Sequence, residues 1–254
     1  MTAPGGPGPC YDLGVQDDAA VGRLRFSIVI PAHNEEMYIG QTLEHIARLA
    51  YPAELFEVIV VENGSSDRTL YVAKQFECGN VRVYASGEAG VCAAKNFGID
   101  RLSPQSDWVV FLDADTLLKE NFLNDLDAML GAARKPYVVG TTKVLPIGGG
   151  RKARVWFAAY DQLHRLGGSY AIQLAKRSLF PALRFDESLT MGEDLLLIKQ
   201  ARKVGKFCYL PTRTVYTSTR RFESVGYLRL YLQWASFEIL PRPLQKRRGY
   251  KVIR

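Results

Sequence analysis

Histidine and cysteine are scarce in this chain of 254 residues, which has three of the first and four of the second. Cys10, Cys78, Cys92 and Cys208 lie far apart, form no CxxC pair and have no histidine at ligand spacing. That pattern argues against a zinc site and predicts thiols held in a reducing compartment. No apolar run approaches the roughly 20 residues of a membrane-spanning helix, and the first residues lack the apolar core of a signal peptide. The expected location is therefore cytoplasmic, either soluble or peripheral on the cytoplasmic face of a membrane. GxGxxG is missing after the first apolar run, which removes a dinucleotide-dependent dehydrogenase. Excess charge is also missing from most of the chain. The formal charge is +7, but residues 241–254 hold six basic side chains and no acidic one, so the rest is nearly neutral. A basic tail on a neutral body gives no reason to expect a nucleic-acid partner.

What remains is enough apolar residue to fill a substantial α/β core. Residues 1–24 are rich in Gly, Pro and Ala without periodicity and read as a disordered leader. Phe26-Ser-Ile-Val-Ile-Pro31 is an apolar run stopped by proline, as expected of a buried parallel strand. Asn34-Glu35-Glu36 then opens a helix with Ile39, Leu43 and Ile46 on one face. Strands follow at Phe56-Glu-Val-Ile-Val-Val61, Val81-Arg-Val-Tyr84 and Trp108-Val-Val-Phe-Leu112, with helices at 68–76 and 93–99 between them. Four strands alternating with helices predict a parallel sheet wound by right-handed crossovers, whose ligands bind beyond the carboxyl ends of the strands. The polar clusters 32–35, 62–67 and 113–115 all fall at that edge. Further on, 137–144 reads as a strand, 148–152 as a mobile loop, 155–165 as a helix, 167–174 as a turn and strand, and 193–204 as a helix.

Asp113-Ala114-Asp115 puts two carboxylates at a strand end, where hard oxygen ligands suit Mg²⁺ or Mn²⁺. A helix cap is the simpler role for such a pair. Glu193-Asp194 heads a helix, where it either serves the helix dipole or supplies a general base for an acceptor hydroxyl. His45 and His164 read as surface or packing residues, and Trp156 with Tyr160 as core more than sugar platform.

In order, Ser27-Ile-Val-Ile-Pro-Ala-His-Asn-Glu35, Val61-Glu-Asn-Gly-Ser-Ser-Asp67, Lys95-Asn96-x-Gly98-Ile99, Phe111-Leu-Asp-Ala-Asp115 and Gly192-Glu-Asp194 resemble the motifs of family 2 glycosyltransferases. The resemblance runs over roughly 26–221. It implies the GT-A fold, a mostly parallel Rossmann-like sheet flanked by helices, with a nucleotide-binding half (25–118), an acceptor half (119–222) and a C-terminal helix. It implies an inverting transfer of sugar from a nucleotide-diphosphate donor, a UDP-sugar first among them, to a hydroxyl acceptor.

By the same resemblance Pro31, Ala32, His33 and Glu35 lie against the nucleoside. Asn63 stands where the family commonly carries an acid facing the base, and its amide offers a donor and an acceptor to a uracil edge. Lys95 stands near the nucleotide, Asp113 and Ala114 on the donor side, and Asp115 as the direct ligand of a divalent cation that Asp113 helps to hold. Asp194 matches the catalytic base, with Glu193 beside it toward the acceptor. Gly168-Ser169-Tyr170-Ala171 resembles the turn lining the acceptor pocket. No histidine follows His164, so water or donor phosphates complete the metal shell, or the cation is held more weakly. Arg220 and Arg221 either close over the pyrophosphate or form a solvated basic turn.

Residues 223–254 combine a widely apolar helix, including Tyr227, Leu228, Leu230, Leu232 and Trp234, with the basic tail. That pairing suits an anionic membrane surface, and packing on the catalytic domain competes with it. Two other functions stand against the transferase. One is a sugar-nucleotide-binding domain without turnover. The other, a sugar-1-phosphate nucleotidyltransferase, would need a Gly-rich basic loop where Pro-Ala-His-Asn-Glu-Glu stands.

Overall fold

A computed structural model describes residues 22–239 apart from 88, 181 and 190. Most of the leader and the whole basic tail lie outside the described residues. The first strands are β1 (Phe26–Ala32), β2 (Phe56–Glu62), β3 (Val81–Ala85) and β4 (Trp108–Leu112). They pair in parallel in the order β3-β2-β1-β4, with Phe26 opposite Phe56 and Ile30 opposite Val60. The helices between them are α1 (Ile39–Ala47), α2 (Thr69–Lys74) and α3 (Val91–Ile99). The sheet is extended by β6 (Tyr137–Thr142), β8 (Ile172–Lys176) and β9 (Lys206–Leu210) into the order β3-β2-β1-β4-β8-β6-β9. Strand β8 runs antiparallel to both neighbours, and β6 and β9 are parallel. The expected mostly parallel α/β sheet is observed.

Period-two alternation sorts each buried strand onto two cores. Ile28, Ile30, Val58, Val60, Val110 and Leu112 face α1 and α4 (Phe122–Gly131) through Leu43, Ile46, Leu123 and Leu126. Val29, Ile59, Val61, Val109 and Phe111 face α3 and α6 (Glu193–Ala201) through Ala94, Ile99, Leu197 and Ile198. Gly98 of α3 lies so close to Val29 that a Cβ there would overlap the valine methyls, which sets how near the helix approaches the sheet.

A smaller sheet of β5 (Thr116–Leu118), β7 (Leu145–Ile147) and β10 (Val215–Ser218) has β10 in the middle, antiparallel to β5 and parallel to β7. It returns the chain to the end of β4 before α7 (Arg220–Val225) and α8 (Tyr227–Ile239). Residues 148–152 were expected to be a mobile loop, but α5 (Gly150–Leu166) begins inside them, because its apolar face of Ala153 and Phe157 packs into the core. Helix α8 packs Tyr227 and Leu230 into that core and leaves Leu228 and Leu232 exposed. No helix among the described residues is long and apolar enough to cross a membrane. His164 is buried and packs edge-on to Tyr160, and burial lowers its pKa to about 4. His45 Nδ1 donates to the Leu118 carbonyl oxygen at 3.1 Å. Both are packing residues.

Candidate active site

A cleft of about 580 Å³ opens over the carboxyl ends of β1, β2 and β4, within the size range of ligand pockets. Pro31, His33, Glu35, Asn63, Asp113, Ala114 and Asp115 line one side of it. Ser169, Glu193, Asp194, Arg220 and Arg221 line the other. Three expected residues do not reach the cleft. Ala32 is fully buried beneath it. Lys95 is buried behind Asp194. Gly168 precedes the lining turn, at the end of α5.

The first loops are held by their own hydrogen bonds. His33 Nδ1 lies 2.7 Å from the Asn63 carbonyl oxygen, and the Glu35 amide donates to Thr69 Oγ1 at 2.7 Å. Asn34, with φ at 53°, receives Ser66 N on its side-chain oxygen at 2.8 Å. The amide of Asn63, oriented to satisfy both neighbours, donates to the Ala32 carbonyl at 2.7 Å and accepts from Gly90 N at 3.1 Å. These contacts use one of the two amide donors and one of the two oxygen lone pairs, and they hold the end of β1 against the start of α3.

Asp113 and Asp115 flank a tight turn in which Thr116 N donates to the Asp113 carbonyl at 3.1 Å. Asp113 N donates to the carbonyl of Ala171 at 2.9 Å. Ala171 has φ at 61°, a left-handed conformation costly for a residue with a Cβ and common at functional sites. Burial raises the pKa of both aspartates, and Asp113 is raised further by the charge of Asp115. Burial also pushes Glu35 up to about 7 in spite of Arg220, with Asp115 and Asp113 adding to the rise. Arg220 answers this charge. Its Nη2 donates to both oxygens of Glu35, at 2.5 and 2.6 Å, and its Nε to Asp115 Oδ2 at 3.2 Å. At Arg220 the solvated turn does not form, because the residue follows β10 onto Asp115 and Glu35.

Opposite them, Gly192 caps α6 with φ at 78°, and the helix begins with Glu193 and Asp194. Lys95 Nζ donates to Asp194 Oδ1 at 2.7 Å and to Glu193 Oε1 at 3.1 Å. Burial raises Asp194 to about 6 while Lys95 opposes the rise. Against its own burial, Glu193 is held low by Lys95. Burial would lower Lys95, but the two carboxylates more than offset it and raise its pKa. Lys95 was expected at the nucleotide. It serves the α6 acids instead, since a buried ammonium on α3 needs anionic partners. Asn96, in the same motif, donates to Phe185 O at 2.9 Å and to Glu187 Oε1 at 2.7 Å, which steadies the segment leading to the cleft.

Sequence reasoning missed Tyr160, Glu187, Met191 and Trp234, all of which line the cleft. Tyr160 was read as core; its helical spacing gave no sign that one edge faces solvent. Trp234 comes from α8 and stands 6.0 Å from the Tyr160 ring and 5.6 Å from the Tyr170 ring, centroid to centroid. Trp156 does pack inward, 5.7 Å from Tyr227.

Residues 27–185 match the family model of Glycosyl transferase family 2, well over half of the chain. The chain belongs to glycosyl transferase family 2. Among curated relatives it is 25% identical over 197 residues to the minor teichoic acid biosynthesis protein GgaA of Bacillus subtilis (strain 168), covering 69% of this chain and 42% of that protein. It is 27% identical over 110 residues to the poly(ribitol-phosphate) beta-N-acetylglucosaminyltransferase TarS of Staphylococcus aureus, covering 42% of this chain and 19% of that one. The chain thus spans less than half the length of these relatives.

Among solved structures, S. aureus TarS 1–349 in complex with UDP-GlcNAc superposes with a TM-score of 0.63 at 20% identity, over 77% of this chain and 58% of that one. The mannosyltransferase PcManGT from Pyrobaculum calidifontis, in complex with GDP-Man and Mn²⁺, gives 0.60 at 17% identity, over 88% and 67%. These likenesses show the GT-A fold. The family match stops short of Glu193, Asp194 and Arg220, so the geometry alone ties those residues to the cleft.

Proposed function

We propose that this family 2 chain is an inverting glycosyltransferase that moves a sugar from a nucleotide-diphosphate donor to a hydroxyl acceptor. One observation carries the reading: the carboxylates of Asp113 and Asp115 and those of Glu193 and Asp194, far apart in sequence, line one cleft. The first pair belongs to the donor half (25–118) and the second to the acceptor half (119–222). A UDP-sugar is the first donor to test, on the strength of the UDP-GlcNAc bound in TarS.

Asp113 and Asp115 fit a divalent cation, Mn²⁺ or Mg²⁺, as two hard oxygen donors facing the cleft, and such ions bind through one or two carboxylates plus substrate phosphates. Among the described residues no three metal-ligating side chains converge, so donor oxygens or water would complete the shell. A cation held there supplies positive charge to the diphosphate. Asp194 removes the proton of the acceptor hydroxyl as that oxygen attacks the anomeric carbon from the face opposite the diphosphate. The electron pair of the breaking sugar–oxygen bond leaves with the nucleoside diphosphate, and the configuration inverts. Arg221, beside the aspartates, adds positive charge on the same side. Tyr160 and Trp234, with Ser169 before them, form the acceptor wall.

A thermal-shift screen of nucleotide sugars with and without Mn²⁺ tests the reading. A preferred donor raises the melting midpoint by mass action, more with Mn²⁺ than without, and Asp115→Asn cancels the difference. A chain whose midpoint moves with no nucleotide sugar does not use one.

We also infer a peripheral membrane contact through residues 223–254. The exposed Leu228 and Leu232 support it, since they lie on the helix that leads into the basic tail. Apolar insertion beside basic residues is the combination that holds a surface helix on anionic lipid.

A further inference from the structure

Three carboxylates, Glu35, Asp113 and Asp115, share the donor end of the cleft. The side chains of Glu35 and Asp115 are only 14% and 16% exposed, so little solvent screens their charge. Such a cluster needs a cation, and the fold supplies one. Arg220 leaves the end of β10, whose Thr217 pairs with Thr116 one residue after Asp115. Its guanidinium forks between both oxygens of Glu35 and Oδ2 of Asp115. The Tyr38 ring lies beneath it, 4.1 Å from the guanidinium carbon to the ring centroid. The side chain is 18% exposed, so little water competes for these contacts.

We propose that Arg220 is a resident counter-cation of the donor site, which competes with a divalent cation for Asp115 and gives up that carboxylate when the cation binds. The reasoning is electrostatic. A guanidinium hydrogen-bonded to Asp115 Oδ2 occupies an oxygen that a metal ion would coordinate, and two positive centres on one carboxylate repel strongly in a poorly hydrated cleft. The exchange moves Arg220 only a short way, because the contact of Nη2 with both oxygens of Glu35 remains. Freed from Asp115, the guanidinium stands at the edge of the cleft with donors to offer a diphosphate. The donor site is thereby charge-balanced before any ligand arrives, and the cation and the arginine trade places on one oxygen. This inference rests on the reading of Asp113 and Asp115 as the cation site.

Direct Mn²⁺ binding tests it without donor and without turnover. The full chain is titrated with Mn²⁺, and free ion is followed by its electron paramagnetic resonance signal. Near-ultraviolet circular dichroism verifies that each variant is folded. Arg220→Gln, which keeps length and polarity but removes the charge, binds Mn²⁺ about tenfold more tightly than the wild type or better. Tyr38→Leu removes the ring under the guanidinium and leaves every carboxylate in place. It moves the affinity in the same direction by a smaller factor and serves if Arg220→Gln does not fold. Equal or weaker Mn²⁺ binding in the folded variant overturns the inference and leaves the transferase reading standing. Mn²⁺ binding by neither wild type nor variants removes both this exchange and the proposed cation site.

Discussion

Lys95 and Asp194 meet 2.7 Å apart behind the cleft, 99 residues apart in sequence. The same ammonium reaches Glu193 at 3.1 Å, so one buried cation from α3 holds both acids at the head of α6. Breaking such a buried pair from one side costs about 3–5 kcal/mol, because the stranded charges lose their partner. Lys95→Met is expected to destabilise the chain by about that amount in urea unfolding. Stability within about 0.5 kcal/mol of wild type would mean that the ion pair contributes little.

The pH dependence follows from the charge state of Asp194. Burial first, with the charges of Glu193 and Asp113 adding to it, pushes Asp194 up to about 6 while Lys95 opposes the rise. A general base works ionised, so the transfer rate rises with pH through about 6 and levels off above it. Lys95 favours the ionised form. In any folded Lys95→Met protein the rising limb therefore moves to higher pH. Asp194→Asn abolishes that limb and lowers kcat by about 10²- to 10⁴-fold. An unchanged profile in Asp194→Asn assigns the base elsewhere.

Trp234 brings α8 to the cleft beside Tyr160. The aromatic wall proposed for the acceptor makes Trp234→Ala a test of acceptor binding. The acceptor KM is expected to rise about three- to tenfold, the worth of one aromatic contact, with the donor KM unchanged. A shift in the donor KM instead would place Trp234 on the nucleotide side.

Membrane contact is tested on the exposed face of α8. The wild type is expected to float with vesicles containing anionic lipid and to stay down with neutral ones. Leu228→Ser combined with Leu232→Ser weakens flotation without touching the packed Tyr227 and Leu230. Deletion of 241–254 weakens it as well, and more so at low salt, where the charge contribution is largest. Failure of the wild type to float at any lipid composition removes the idea.

Much of the fold was legible because burial leaves a local signature. Strands β1, β2 and β4 are apolar on both faces, since helices cover both sides, and their carboxyl ends are marked by Pro31, Asn63 and Asp113. The antiparallel insertion of β8 between β4 and β6 had no such signature. A strand covered on both faces looks alike in either direction, and only its partners decide which way it runs. The start of α5 was hidden by Gly148, Gly149 and Gly150, whose backbone freedom argues for a loop until Ala153 and Phe157 find the core.

By itself the sequence determined the order of strands and helices, the polar clusters at the strand ends and the family they resemble, because each rests on neighbours in the chain. Tertiary structure decided who is paired with whom. Asn63 bridges the backbone of Ala32 and Gly90, Lys95 turns from the nucleotide to Asp194, and Arg220 settles between Glu35 and Asp115. Each of these is a buried polar group whose desolvation must be met by a partner, and the partner comes from a distant segment that only the folded chain brings near.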